Sequence, residues 1–198
     1  MTNNGVRTGI FGGSFDPVHV GHLSIAKSFL NSRLIDQLLI LPAPEPPHKS
    51  NKSQVSFDHR LNMLQLAFSG WENVKVSDLE QKLPRPSYTL QTILHLKENR
   101  SGDVFFLCIG QDNLVSFHKW WEYEKILEEV PLLVAERPGT ENQDVDSAIL
   151  ERTIMVDHAE IDLSSTELRN SSNFRKIEDK VPGSVASYIR DHDLYISN

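Results

Sequence analysis

Gly9-Ile10-Phe11-Gly12-Gly13-Ser14-Phe15-Asp16-Pro17-Val18-His19-Val20-Gly21-His22-Leu23 joins the end of an apolar run, a glycine pair and a helix start within one short segment. The run Thr8 to Phe11 predicts a strand, and Val20 to Leu30 an amphipathic helix. Gly12 and Gly13 follow the strand without side chains, so a phosphate can come close to the backbone there. His19 and His22, three positions apart at the helix start, share a face at the positive end of the helix dipole and can both point at an anion. Gly21 leaves space for a base or phosphate against the helix backbone, and Asp16-Pro17 predicts the turn into the helix. Hydrogen bonds from two histidines would stabilise a phosphate whose charge grows as a phosphoanhydride breaks. The same pair could ligate zinc, with Asp16 as the obvious third ligand, or have no role at all; the strand and glycines before it favour the anion. The two commoner phosphate-binding signatures, G-x-x-x-x-G-K-[ST] and G-x-G-x-x-G, are absent.

Outward from this segment, apolar runs keep alternating with amphipathic ones. Strands are expected at Gln37 to Leu41, Val74 to Val76, Val104 to Ile109, Leu132 to Ala135 and near Thr153 to Val156. Helices are expected at Phe57 to Phe68, Thr89 to Lys97, a stretch ending about Phe117, Tyr123 to Val130, after Ser164, and from about Ser184 to Asp191. Strands separated by helices predict an α/β fold with a doubly wound parallel sheet, helices on both faces, and ligands beyond the carboxyl ends of the strands. Three connections are rich in turn residues: Pro42 to Ser56, Gln81 to Ser87 and Glu136 to Asp144. The first holds Pro42, Pro44, Pro46 and Pro47, and a long loop at the ligand edge of a sheet is often functional.

Composition narrows the class. At 198 residues the chain suits one domain, and no apolar run is long enough to cross a bilayer. The polar start, Met1 to Arg7, lacks the h-region of a secretory signal, and the lone Cys108 lies in an apolar run, so a reducing cytoplasm is expected. A net charge of −7 disfavours broad neutralisation of DNA or RNA phosphates, although a small anion needs only a few local donors. No nucleic-acid or membrane partner is expected, and a homo-oligomer is left open.

Further candidates lie along the chain. Leu163-Ser-Ser-Thr-Glu-Leu-Arg169 predicts a helix capped by Ser164 or Ser165, with Arg169 about one turn in. Pro46-Pro47-His48-Lys49 sits in the proline-rich loop, where Lys49 is either a ligand contact or a solvated charge. Ser87 can cap the helix starting near Thr89, and Asp112 follows a strand where an aspartate can equally cap a helix. Trp120 and Trp121 are adjacent and cannot both face one side of a helix. Arg60 and Arg137 are weaker cases; turn chemistry accounts for Arg137-Pro138-Gly139.

His19-Val20-Gly21-His22 resembles the signature of the HxGH nucleotidyltransferases, and Gly12 to His19 looks most like the bacterial nicotinate-nucleotide adenylyltransferase family, with Ser14 where that family usually has threonine. Ser164 to Arg169 resembles the family's ISSTxIR motif, Pro46 to Lys49 its PPHK element, Ser87-Tyr88-Thr89 its SYT segment, Ile109 to Asp112 with Trp120 its GxD and tryptophan pattern, and Arg137 to Gly139 its RPG turn. The resemblance implies a Rossmann-like single domain over 1–198, its C-terminal helices from about 164 completing an ATP site. It implies catalysis by His19, His22 and Arg169, and ATP bound by Gly12, Gly13, Ser14, Phe15, Gly21, Gly110, Asp112, Ser164, Ser165 and Thr166. The mononucleotide would meet His48, Lys49, Ser87, Tyr88, Thr89, Trp120, Trp121 and Arg137, with Trp120 as the stacking platform. The implied reaction joins the AMP part of ATP to nicotinate mononucleotide, giving nicotinate adenine dinucleotide and pyrophosphate in NAD biosynthesis. Mg2+ would enter with ATP and not on a protein cage. The rival readings are a sister enzyme acting on phosphopantetheine, a polar head group or nicotinamide mononucleotide, and a nucleotide sensor without catalysis.

Overall fold

Residues 5–44, 55–136, 145–159, 161, 163–170 and 177–195 are described by a computed structural model. Apolar runs become six strands: β1 (Arg7–Gly13), β2 (Gln37–Pro42), β3 (Val74–Val76), β4 (Val104–Gly110), β5 (Leu132–Ala135) and β6 (Thr153–Val156). They form one parallel sheet in the order β3-β2-β1-β4-β5-β6. The helices are α1 (Val20–Asn31), α2 (Phe57–Ala67), α3 (Leu79–Lys82), α4 (Thr89–Asn99), α5 (Gln111–Val115), α6 (Tyr123–Glu129), α7 (Ser147–Glu151), α8 (Ser165–Asn170) and α9 (Gly183–Asp191), with a 3-10 turn at Phe117–Lys119. The expected strands and longer helices therefore form with ends shifted by about two residues or fewer. The short α3 and α7 were not anticipated, and α3 runs into the Gln81 to Ser87 connection expected to be a turn. β1 also runs on through the glycine pair, with Gly12 beside Leu41 and Gly13 beside Pro42.

Alternate side chains of each strand enter different cores, as the two-residue period of a strand requires. Phe11, Leu38, Ile40, Cys108 and Leu133 join α1, α2 and α9 on one face. Ile10, Leu39, Leu41, Leu107, Ile109 and Leu132 join α4, α6 and α7 on the other. Cys108 is buried, and burial pushes its thiol pKa up, so it packs as a small apolar residue. Among the described residues, no helix is long and apolar enough to cross a membrane.

The crossing helices run back against the strands, so the starts of α1, α4 and α5 all lie along the carboxyl edge of the sheet. α9 returns to α2, where Tyr188 Oη meets His59 Nδ1 at 2.9 Å and accepts from Asn62 Nδ2 at 3.0 Å. The centre of the sheet has no spare volume at Gly9: an added Cβ would lie 2.7 Å from Cys108 Sγ and 2.8 Å from Ile35 Cδ1. At Gly12 the nearest atom to such a Cβ would be Leu41 O, 3.9 Å away. Gly9→Ala should therefore cost about 1–3 kcal/mol of stability by overpacking, and Gly12→Ala less than about 1 kcal/mol. Urea unfolding of the two variants measures the difference; equal losses would mean that packing at β1 does not set it.

Candidate active site

His19 occupies the N-cap of α1 in extended backbone, and its amide donates to His22 Nδ1 at 3.2 Å. The ring of the third helical residue thus caps the first turn, and the two imidazoles lie with centroids 3.8 Å apart. Because His22 Nδ1 accepts from an amide, a neutral His22 carries its proton on Nε2 and is a donor there. His19 is 4% exposed, and its Nδ1 has no hydrogen-bond partner among the described residues. Burial lowers the His19 pKa to about 4, and burial with the neighbouring His19 holds the partly exposed His22 well below the usual histidine range. Both rings are neutral near pH 7. A Cβ on Gly21 would stand 3.0 Å from His19 Nδ1, so this glycine also makes room for the His19 ring.

The pair opens into a cleft of about 310 Å³ at the carboxyl edge of the sheet. Ser14, His19, Gly21, His22, Gly110, Asp112, Ser164, Ser165 and Thr166 all line it, so segments far apart in sequence meet as expected. Gln111, Ala135, His158, Ile25 and Ile161 line it too and were missed. His158 and Ala135 lie at or just beyond the ends of β6 and β5, so the rule that ligands bind after strands could have found them. His158 Nδ1 is 3.1 Å from Ser28 Oγ, which fixes its ring against α1.

Several candidates have other primary contacts. Phe15 has a positive φ of 47° and a side chain 1% exposed, edge-on to Phe11 and His22; its ring is core and does not line the cleft. Ser164 Oγ accepts from Glu167 N at 3.2 Å while Glu167 Oε2 accepts from Ser164 N at 3.0 Å, a capping box that starts α8. Ser165 Oγ donates to Pro17 O at 3.1 Å. Arg169 does not line the cleft: its Nη1 donates to Asp16 O at 2.6 Å and its Nη2 to Thr166 Oγ1 at 3.1 Å. Asp16 is fully buried; its Oδ1 accepts from Tyr195 Oη at 2.5 Å, and Arg169 Nη1 stands 3.8 Å from its Oδ2. Arg60 is buried and donates to Val55 O, Ser14 O and Pro44 O, bracing the cradle from below.

The expected acceptor residues form a separate group at the start of α4. Its N-cap is Tyr88, not Ser87, and Tyr88 N donates to Gln91 Oε1 at 3.4 Å. Trp120, expected as the platform, is the more buried indole and tilts onto Phe117 at 5.2 Å. Trp121 is 46% exposed and stacks on Tyr88 at 4.5 Å. Beneath the first turn, Thr92 Oγ1 donates to Glu80 Oε1 at 3.0 Å, and burial raises the Glu80 pKa to about 7. His48, Lys49 and Arg137 lie outside the described residues.

Residues 10–171 match the model of the cytidylyltransferase-like family. A Flavobacterium johnsoniae protein described as "Probable nicotinate-nucleotide adenylyltransferase" is 35% identical over 191 residues, covering 96% of this chain and 99% of its own. The chain belongs to the nicotinate-nucleotide adenylyltransferase family. A Leptospira borgpetersenii relative with the same description is 39% identical over 193 residues, covering 96% of this chain and 97% of its own. Plasmodium falciparum nicotinic acid mononucleotide adenylyltransferase, solved with NaAD and with APC, has the same fold, with TM-scores of 0.79 and 0.77 at 21% identity over 96% of this chain and 97% of that one.

The lowered pKa values of His19 and His22 make stability depend on pH. A histidine with a lowered folded-state pKa binds fewer protons than the unfolded chain below about pH 6.5, so its stabilising effect is full above that pH and is lost as pH falls toward about 4. From pH 7 to pH 5, His19 alone should account for roughly 2 kcal/mol of lost stability. Urea unfolding at both pH values should give a smaller drop for His19→Gln than for the parent; equal drops would mean that His19 is not held neutral.

Proposed function

We propose that this chain transfers the AMP part of ATP to nicotinate mononucleotide, releasing pyrophosphate and forming nicotinate adenine dinucleotide, a step of NAD biosynthesis. The observation that carries the reading is the facing histidine pair at the start of α1, His19 buried and His22 half-buried, in one cleft with Gly110 to Asp112 and Ser164 to Thr166. A phosphate oxygen of the mononucleotide attacks the α-phosphorus of ATP, the new P–O bond forms, and the bond to the bridging oxygen of pyrophosphate breaks. No covalent enzyme intermediate is needed.

His22 donates from Nε2 without first giving up a charge, so it can stabilise the phosphoryl oxygens as negative charge moves onto the leaving group. Gly12 and Gly13, expected to cradle a phosphate, end β1 outside the lining of this cleft, and space is open where a Gly12 side chain would stand. Positioning both reactants at one sheet edge can contribute about 7–11 kcal/mol toward the barrier. Arg169 is read as a triphosphate contact that exchanges Asp16 O for phosphate when ATP binds. Magnesium arriving on the triphosphate would neutralise further charge, and Asp112 is the described carboxylate lining the cleft that could meet its water shell.

For the acceptor, the first-turn amides of α4 and the Thr89 hydroxyl offer neutral donors to the nicotinate carboxylate. Trp120, braced on Phe117, and Trp121, stacked on Tyr88, offer aromatic faces to a pyridinium, each worth about 0.5–2 kcal/mol.

Pyrophosphate release with ATP and a panel of nicotinate mononucleotide, nicotinamide mononucleotide and phosphopantetheine tests the reaction. Turnover should favour nicotinate mononucleotide, and His22→Ala should lower kcat by about 10²-fold or more with the fold intact. A folded protein inactive on every acceptor would instead support the sensor reading. In the same assay Thr89→Ala should narrow the preference for acid over amide, whereas Trp120→Ala and Trp121→Ala should weaken both acceptors alike. An unchanged acid-to-amide ratio in Thr89→Ala would remove that hydroxyl from selectivity.

A further inference from the structure

Asp16 is fully buried in the loop between β1 and α1, yet its two carboxylate oxygens have different surroundings. Oδ1 accepts a hydrogen bond from Tyr195 Oη at 2.5 Å. Oδ2 has no hydrogen-bond donor among the described residues, and the Arg169 guanidinium stands 3.8 Å away. The Arg169 side chain is only 12% exposed, and its Nη1 donates to the Asp16 carbonyl at 2.6 Å. A small movement would therefore convert the present arrangement into a direct, buried Arg169–Asp16 ion pair.

We propose that Tyr195 is a positioning residue for ATP: by holding the Asp16 carboxylate through Oδ1, its hydroxyl keeps that charge from capturing Arg169, which stays on a backbone carbonyl that it can exchange for phosphate. This rests on the reading of Arg169 as a triphosphate contact. A buried carboxylate that loses its donor must find another, because an unpaired polar group away from water is costly. Arg60, the other guanidinium near this loop, is engaged by Val55 O, Ser14 O and Pro44 O. Arg169 is the group left to answer. An ion pair formed in this low-dielectric pocket would compete directly with the triphosphate for the same guanidinium. Tyr195 reaches the loop because α9 is docked on α2 through Tyr188, and its backbone, at a positive φ of 60°, turns the chain end toward Asp16.

The test is steady-state kinetics and ATP calorimetry on full-length parent, Tyr195→Phe, Arg169→Ala and the double variant. Tyr195→Phe should raise the KM for ATP by about tenfold or more, while the KM for nicotinate mononucleotide changes by less than about twofold. In the Arg169→Ala background the same substitution should change ATP affinity by less than about twofold, because the residue it acts through is gone. If Arg169→Ala weakens ATP and Tyr195→Phe does not, the role of Tyr195 is refuted while Arg169 remains a phosphate contact. If Arg169→Ala leaves ATP binding unchanged, the reading of Arg169 fails and the proposal fails with it. An equal effect of Tyr195→Phe with and without Arg169 would show that the tyrosine acts by another route, again overturning it. Asp16→Asn covers the case in which Tyr195→Phe does not fold: a neutral amide cannot capture Arg169, so this variant should bind ATP at least as tightly as the parent, and weaker binding would contradict the proposal.

Discussion

Backbone between Ser14 and Val20 bends away from the sheet under a fully buried side chain, Asp16, so its polar groups must find partners inside the protein. Most of those partners come from the far end of the chain. Ser165 Oγ donates to Pro17 O, Arg169 Nη1 to Asp16 O, Val20 N to Lys180 O, and Tyr195 Oη to Asp16 Oδ1. From the N-terminal half, Arg60 on α2 braces the loop through Ser14 O, and His22 Nδ1 accepts from His19 N. The geometry of His19 and His22 follows, since both sit where this loop enters α1.

Much of this could be anticipated because buried parallel strands must be apolar along their whole length, which makes runs such as Val104 to Ile109 and Leu132 to Ala135 conspicuous. α3 and α7 escaped because four or five residues cannot display a helical period. The histidine pair was legible from its spacing, but its neutrality was not, since desolvation belongs to the assembled site. The same holds for Ser164 and Arg169: sequence gives the helix start, while three-dimensional neighbours decide that one hydroxyl goes to Glu167 and one guanidinium to a carbonyl. With the tryptophans, adjacency told that the two must differ, and only packing against Phe117 or Tyr88 told which is the more exposed.

An acidic chain with a net charge of −7 is an odd host for two phosphorylated substrates if net charge is the guide. The cleft is lined instead by uncharged imidazoles and small residues, with the Arg60 and Arg169 guanidiniums outside its lining and bonded to backbone carbonyls of the loop between β1 and α1. The neutral imidazoles cost less to bury than charged groups would, and the buried Arg60 charge is met by three backbone carbonyls.

The contact between Tyr195 and Asp16 spans 179 positions of sequence. A ribosome therefore delivers the glycine pair, both histidines and all six strands before it delivers the residue that ties down their loop. Contacts so distant along the chain are closed late, since the loop entropy must be met before they contribute. The nascent protein thus passes through a stage at which the whole sheet and both histidines have been synthesised but the hydroxyl that bonds Asp16 has not.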